Sequence, residues 1–358
     1  MKIGMLTSGG DCQGLNAALR AVVKALRVHY GDDASLVGFV DGYRGLINGE
    51  YRRMTYEDFS GILTRGGTIL GTSRQPFKLM RVEDETGSDK VAAMKRTYAQ
   101  VKLDCLVILG GNGTHKTANL LRQEGLNVVT LPKTIDNDIY GTDMTFGFQS
   151  AVDIATDVID RIHSTATSHG RVFIVEIMGN KVGWMTLYAG IGGGADVILL
   201  PEIPYDLDSV ARALKKRADQ GRNFSVIAAA EGILSKEEAA MPKKQLKAIR
   251  EARKYPVSYS LAEALSGKTG QEIRVTVPGH FQRGGAPSPA DKVLCTRLGA
   301  FAGSMIITGQ FGCMAALRGD KIVAVPLAEV AGVSKPVPPD CDMIKEARSI
   351  GVSFGDEN

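Results

Sequence analysis

Short apolar runs that end in polar glycine loops recur along the chain. Ile3-Gly4-Met5-Leu6-Thr7 enters Ser8-Gly9-Gly10-Asp11, and a helical stretch follows from about Leu15. Cys105-Leu106-Val107-Ile108-Leu109 enters Gly110-Gly111-Asn112-Gly113-Thr114, then another helix. Residues 128–131 run into Pro132-Lys133-Thr134-Ile135-Asp136-Asn137-Asp138, and residues 172–177 into Met178-Gly179. Residues 225–230 run into Glu231-Gly232, and 275–277 into Pro278-Gly279-His280. Continuous apolar runs of this length read as strands buried on both faces. The order strand, glycine loop, helix predicts an α/β fold with mainly parallel sheets flanked by helices. Ligands in such sheets bind beyond the carboxyl ends of the strands, which is where most of the unusual polar residues fall. An amphipathic stretch over 148–163 divides two lobes, and the Lys- and Glu-rich stretch 235–254 reads as one solvated helix.

Composition narrows the setting. With 358 residues, 44% hydrophobic and 23% charged, the chain is long enough for one large or two medium domains. No apolar run approaches the length of a membrane span, and residues 1–8 lack the apolar core and cleavage site of a signal peptide. The cysteines at 12, 105, 295, 313 and 341 are widely spaced and odd in number, which argues against a disulfide framework or a zinc site. A reducing cytoplasm is the expected setting, with no membrane partner. A net charge of +4 is too mild to imply nucleic acid, but it suits anionic substrates if arginines converge.

Each motif has a bland alternative. The loop 9–16 can hold phosphate on its backbone N–H groups, or it can be a tight turn that needs glycine. The loop 110–114 repeats that choice, and Asn112 offers a metal ion an oxygen without charge. Lys133, Asp136 and Asp138 are more specific. One carboxylate can accept a proton from an attacking hydroxyl while the other holds Mg²⁺, beside a lysine that neutralises phosphate. The alternative is an acidic turn capping a helix. Arg74, Arg171, Arg274 and Arg283 lie near glycine loops, where guanidinium groups bind phosphate; each alone is an ordinary ion-pair candidate. Glu231 suits sugar hydroxyls, or a salt bridge to one of these arginines. Gly267-Lys268-Thr269 lacks the first glycine of a Walker A loop and follows a helix, so it is set aside.

These motifs together resemble the phosphofructokinase family from residue 1 to roughly 312. The resemblance rests on Thr7-Ser8-Gly9-Gly10-Asp11, Arg65-Gly66-Gly67-Thr68, Gly110-Gly111-Asn112-Gly113-Thr114, Thr134-Ile135-Asp136-Asn137-Asp138, Met178-Gly179, Glu231 and Gly279-His280-Phe281-Gln282-Arg283-Gly284-Gly285. It implies a kinase acting on fructose 6-phosphate, with Asp136 as general base for the 1-hydroxyl and Thr134 and Lys133 beside it. Gly10, Arg74, Gly111, Asn112, Gly113 and Thr114 would hold the donor, and Asn112 and Asp138 the Mg²⁺. Thr134, Ile135, Asp136, Met178, Gly179, Asn180, Glu231, His280 and Arg283 would hold the sugar phosphate. Arg171 and Arg274 would reach a neighbouring subunit's site, implying a homo-oligomer, most often a tetramer, with shared sites.

The expected division is a donor-binding lobe of 1–140 plus about 256–305 and a sugar-phosphate lobe of about 141–255 plus 306–325. A peripheral C-terminal extension of about 326–358 completes it. Several positions depart from the family pattern. Asn112 replaces a metal-binding Asp, and Asn180 replaces an arginine, with Lys181 next to it. Arg20 and Lys24 suggest an effector site, but His163 stands where an arginine is usual. Gly113 resembles ATP users and leaves room for the nucleotide, whereas Lys133 resembles pyrophosphate users and a mixed group. ATP is therefore the expected donor and pyrophosphate the alternative. A sugar-phosphate-binding regulator without catalysis is a further reading, supported by Asn112 and Asn180. An NAD kinase is a weaker one, against which the motif 279–285 argues.

Overall fold

The described residues form eleven strands, the six apolar runs among them: β1 (Lys2–Ser8), β2 (Ser35–Phe39), β3 (Tyr51–Met54), β4 (Cys105–Gly110), β5 (Val128–Pro132), β6 (Val172–Ile177), β7 (Val197–Leu199), β8 (Ser225–Ala230), β9 (Ile273–Thr276), β10 (Cys313–Arg318) and β11 (Lys321–Pro326). The computed structural model describes residues 1–83, 87 and 89–357. It divides into two units, residues 1–150 with 283–335 and residues 151–282 with 336–358.

The first unit carries a seven-stranded sheet in the order β11-β10-β5-β4-β1-β2-β3. Its central pairs are parallel; β3 and β11 run antiparallel at the two edges. Residues of β1, β4 and β5 are almost wholly buried, as runs covered on both faces require. Leu6, Val37, Phe39, Leu106, Ile108 and Val128 form part of its core. Register decides where the chemistry falls. Ser8 pairs with Gly110, and Gly110 with Pro132, so three loops leave the sheet side by side at the carboxyl ends of its central strands.

The second unit has a parallel four-stranded sheet, β7-β8-β6-β9, over a core that includes Ile174, Val197, Ile227 and Leu261. Ile177 pairs with Ala230, which brings Met178 and Glu231 out together.

Five expectations are corrected. Residues 256–282 belong to the second unit, because β9 adds to β6. Residues 306–325 belong to the first, because β10 pairs with β5 and β11 with β10. The C-terminal extension is not peripheral: Ser334 bridges to Ile139 in the first unit and Ser353 to Val197 in the second. The solvated stretch is two helices, Lys236–Ala239 and Lys243–Ala252, with Pro242 as the cap residue of the second. Proline has no N–H to continue a helix from the preceding turn. Strand β9 sits two residues earlier than the apolar pattern suggested, since Val172 pairs with Ile273. The helix expected around 148–163 runs from Phe148 to His169. Among the described residues, no helix is long and apolar enough to cross a membrane.

Candidate active site

The loop after β1 is tied down from several directions. Gly9 N–H donates to Ser73 O at 3.1 Å, Thr72 Oγ1 to Gly9 O at 2.7 Å, and Ser73 Oγ to Asp41 O at 2.6 Å. Exposed Arg74 is the next residue, so this tether carries it beside the glycine loop. Buried Gln13 and Asn16 hold two more loops. Gln13 Nε2 reaches Gly284 O at 2.8 Å; Asn16 Nδ2 reaches Arg65 O at 3.0 Å, and its Oδ1 accepts from Ile69 N–H at 2.8 Å. A Cβ on Gly66 would lie 2.1 Å from Gly285 O, so only glycine allows the loops 65–68 and 283–285 to meet.

Two cations join this loop. Lys133 Nζ donates to Gly10 O. The Arg283 guanidinium lies 3.0 Å from where a Cβ on Gly10 would stand. Burial lowers the Lys133 pKa, and the charge of Arg283 pushes the same way, against acidic Asp136 and Asp11. The site therefore concentrates positive charge in a partly desolvated place, where an anion is the fitting occupant.

At the second loop the helix begins at Asn112, with Gly111 as its cap residue, so Asn112, Gly113 and Thr114 form the first helical turn. N–H groups of a first turn lack intrahelical acceptors and point outward, which favours phosphate. Thr114 is anchored by Tyr43, whose hydroxyl donates to Thr114 O at 3.0 Å. Gly113 has open space on its Cβ side, where beyond its chain neighbours and its own helix backbone no atom of the described residues lies within 4 Å.

The acidic turn after β5 leads into no helix; the next one starts at Phe148, so helix capping does not explain it. Thr134 Oγ1 accepts from Asp136 N–H at 3.1 Å, and Thr145 Oγ1 donates to Thr134 O at 2.7 Å. Asn137 has φ +53°, left-handed for a residue with a side chain. Its Oδ1 accepts from Thr145 N–H at 3.0 Å and from Lys335 Nζ at 3.1 Å.

The residues expected to hold Mg²⁺ fit a cation. Asn112 Nδ2 is bonded to Val333 O at 3.1 Å, while its buried Oδ1 has no hydrogen-bond partner among the described residues. Burial raises the Asp138 pKa, partly offset by its backbone hydrogen bond and by Lys133 and Lys335, so its carboxylate lacks full compensation. Both are hard oxygen donors of the kind Mg²⁺ takes.

In the second unit, exposed Glu231 uses Oε1 to accept from Gly179 N–H at 3.2 Å and Asn180 N–H at 2.7 Å. It thus shapes the loop after β6, where the sequence left a salt bridge open. Gln282 Oε1 accepts from Met178 N–H at 3.4 Å, and its Nε2 donates to Gly279 O at 3.2 Å. His280 is exposed beside it. Glu272 joins Arg171, at 2.7 Å, and Arg274. The motif 279–285 is split: Gly279 to Gln282 stay in the second unit, and Arg283 to Gly285 enter the first. Arg283, grouped by resemblance with the sugar-phosphate residues, stands against the loop of Gly10.

Residues 2–306 match the family model described as Phosphofructokinase. The chain belongs to the phosphofructokinase family. It is 56% identical to a protein of Spirochaeta thermophila named ATP-dependent 6-phosphofructokinase, over 99% of this chain and 97% of the relative. It is 46% identical to ATP-dependent 6-phosphofructokinase 3 of Bacteroides thetaiotaomicron, over 99% of this chain and 100% of the relative. The crystal structure of Pichia pastoris phosphofructokinase in the T-state superposes with a TM-score of 0.79 at 32% identity, covering 92% of this chain. This chain spans only 35% of that one's length.

Family membership places the glycine loops, the acidic turn and the 279–285 motif inside the matched span. Gln13, Asn16 and Lys335, like Tyr43 and Thr145, do structural work at these loops that escaped the sequence reading. Gln13 and Asn16 lie inside the glycine motif, and their amides bridging separate loops were the available signal. Lys335 lies beyond the match, and nothing in its local sequence marks it.

Proposed function

We infer that this chain transfers the terminal phosphoryl group of ATP to the 1-hydroxyl of D-fructose 6-phosphate, giving fructose 1,6-bisphosphate, a step of glycolysis. The observation that carries this reading is full-length identity of 56% to a relative named ATP-dependent 6-phosphofructokinase. Open space at Gly113 supports ATP as the donor. Lys133 is bound to Gly10 O, a role that suits either donor.

In this reading Asp136 orients the 1-hydroxyl and takes its proton as the oxygen attacks the terminal phosphorus in line. The bond to the departing ADP oxygen breaks as the new P–O bond forms. Lys133, Arg74 and Arg283, with the N–H groups of 111–114, stabilise the charge on the donor phosphates. Arg283 is assigned to the donor side because it lies against Gly10. Thr134 and Ile135 flank the base, and Met178, Gly179, Asn180, Glu231 and His280 hold the sugar phosphate. Asn112 and Asp138 would hold Mg²⁺, which when bound neutralises charge on the donor phosphates. Arg171 and Arg274, gathered by Glu272, would serve a neighbour's site in a homo-oligomer, taken as a tetramer. A cytoplasmic setting rests on the sequence alone.

A coupled assay run separately with ATP and with pyrophosphate tests the reading. Turnover is expected with ATP. Activity with pyrophosphate alone overturns the donor, and fructose 6-phosphate binding without turnover on either donor overturns catalysis. Asp136→Asn should lower kcat by roughly 10²–10⁴-fold with little change in sugar binding, the scale of a general base. Near-normal kcat in that variant would remove Asp136 from the role.

A further inference from the structure

Residues 333–335 lie beyond the family match, yet they touch both metal-candidate positions. Val333 O accepts from Asn112 Nδ2 at 3.1 Å. Ser334 forms an antiparallel bridge with Ile139, and Lys335 N–H donates to Asp138 O at 2.9 Å. The Lys335 side chain then turns into the acidic loop. Its ammonium donates to Thr142 O at 2.8 Å, Asp143 O at 2.9 Å and Asn137 Oδ1 at 3.1 Å. Three acceptors match the three N–H donors of an ammonium group.

We propose that Lys335 is a positioning residue for phosphoryl transfer, fixing the turn that presents Asp136 and Asp138. The route is continuous. Lys335 and Thr145 N–H share Asn137 Oδ1, Thr145 Oγ1 holds Thr134 O, and Thr134 Oγ1 holds Asp136 N–H. Asn137 needs such support. A residue with a Cβ in the left-handed region is held there where local hydrogen bonds over-determine it, and Asn, whose short amide can make them, is among the few that adopt it. Its Oδ1 is the point at which the lysine and the loop meet. The turn spans residues 134–145 without a helix or named strand of its own, so the bridge of Ile139 to Ser334, a few backbone bonds and these side-chain bonds fix its shape.

This proposal rests on the reading of Asp136 as the base, and the experiment separates the two. Lys335→Met and Lys335→Gln are compared with wild type in steady-state kinetics and in amide hydrogen exchange. Asp136→Asn is measured in parallel. The expected result is a kcat about 10–100-fold lower, the scale of a small misplacement of a reacting group, with the KM for fructose 6-phosphate within about twofold. Exchange should accelerate in the peptide covering 134–145 and stay unchanged in β2 and β3. A wild-type kcat in either folded variant overturns the proposal, even if exchange changes. Uniform loss of protection, or failure of both variants to fold, makes Lys335 a general staple and also overturns it. If Asp136→Asn stays active while the Lys335 variants lose kcat and local protection, the base assignment fails and the positioning role stands.

Discussion

Gly113 is where a single missing side chain bears on the choice of donor. It sits in the first turn of a helix, with open space where a Cβ would project. An aspartate there meets no clash, and a carboxylate near a helix N-terminus favours the fold. It would, however, stand among N–H groups suited to donor phosphate. Like-charge juxtaposition costs several kcal/mol, so Gly113→Asp should lower kcat/KM for ATP by about 10²-fold or more, with the thermal midpoint unchanged or slightly raised. Steady-state kinetics at varied ATP reads this directly; an unaltered ATP dependence would detach Gly113 from the donor. Lys133, 4% exposed, stands in contrast. Its surroundings bind it to the protein as much as to any donor, so its identity alone says little about which phosphate is used.

Among the elements, one buried carboxylate ties the helix Pro289–Ile307 to residues 147–150 of the same unit. Asp291, in the first turn of the helix Pro289–Ile307, is fully buried. Its Oδ1 accepts from Gly147 N–H at 3.0 Å; its Oδ2 accepts from Ser150 N–H at 2.8 Å and from Ser150 Oγ at 2.5 Å. It thus satisfies donors at the start of the helix Phe148–His169, which follows the acidic turn. Asp291→Ala would leave these donors buried and unpaired, at about 2–4 kcal/mol. Chemical denaturation should show that loss, with Asp291→Asn recovering part of it. An unchanged midpoint for the alanine variant would show that solvent replaces the carboxylate.

For the molecule as a whole, acid sensitivity should follow from His115. Burial pushes its pKa down to about 3, helped by the charge of Lys133. An unfolded histidine takes its proton near pH 6.5. Between those values the unfolded state binds more protons than the folded one, so stability rises with pH and is lost as pH falls below about 6.5. The slope from this group approaches about 1.4 kcal/mol per pH unit and ends near pH 3. Urea midpoints taken from pH 7 down to pH 5 should fall accordingly, and His115→Gln should flatten the part owed to this residue. A slope unaffected by that substitution would assign the acid loss to other groups.

From the sequence alone β1, β4, β5, β6 and β8, the glycine loops and the acidic turn could be read, because burial on both faces leaves an apolar run and a strand-to-helix turn leaves glycine. These signals are local, and they were enough to indicate the family. Which distant segments join them depends on long-range pairing. The edge strand β9 and the antiparallel pair β10–β11 could belong to either sheet until the backbone pairing was formed, so the division of the chain was misplaced. Arg283 reads as part of one continuous motif, yet the chain passes between units at 282–283 and sets its guanidinium against Gly10. Lys335 has no local pattern at all. Its three acceptors lie about two hundred residues earlier, and hydrogen bonds across that separation leave no periodicity to read.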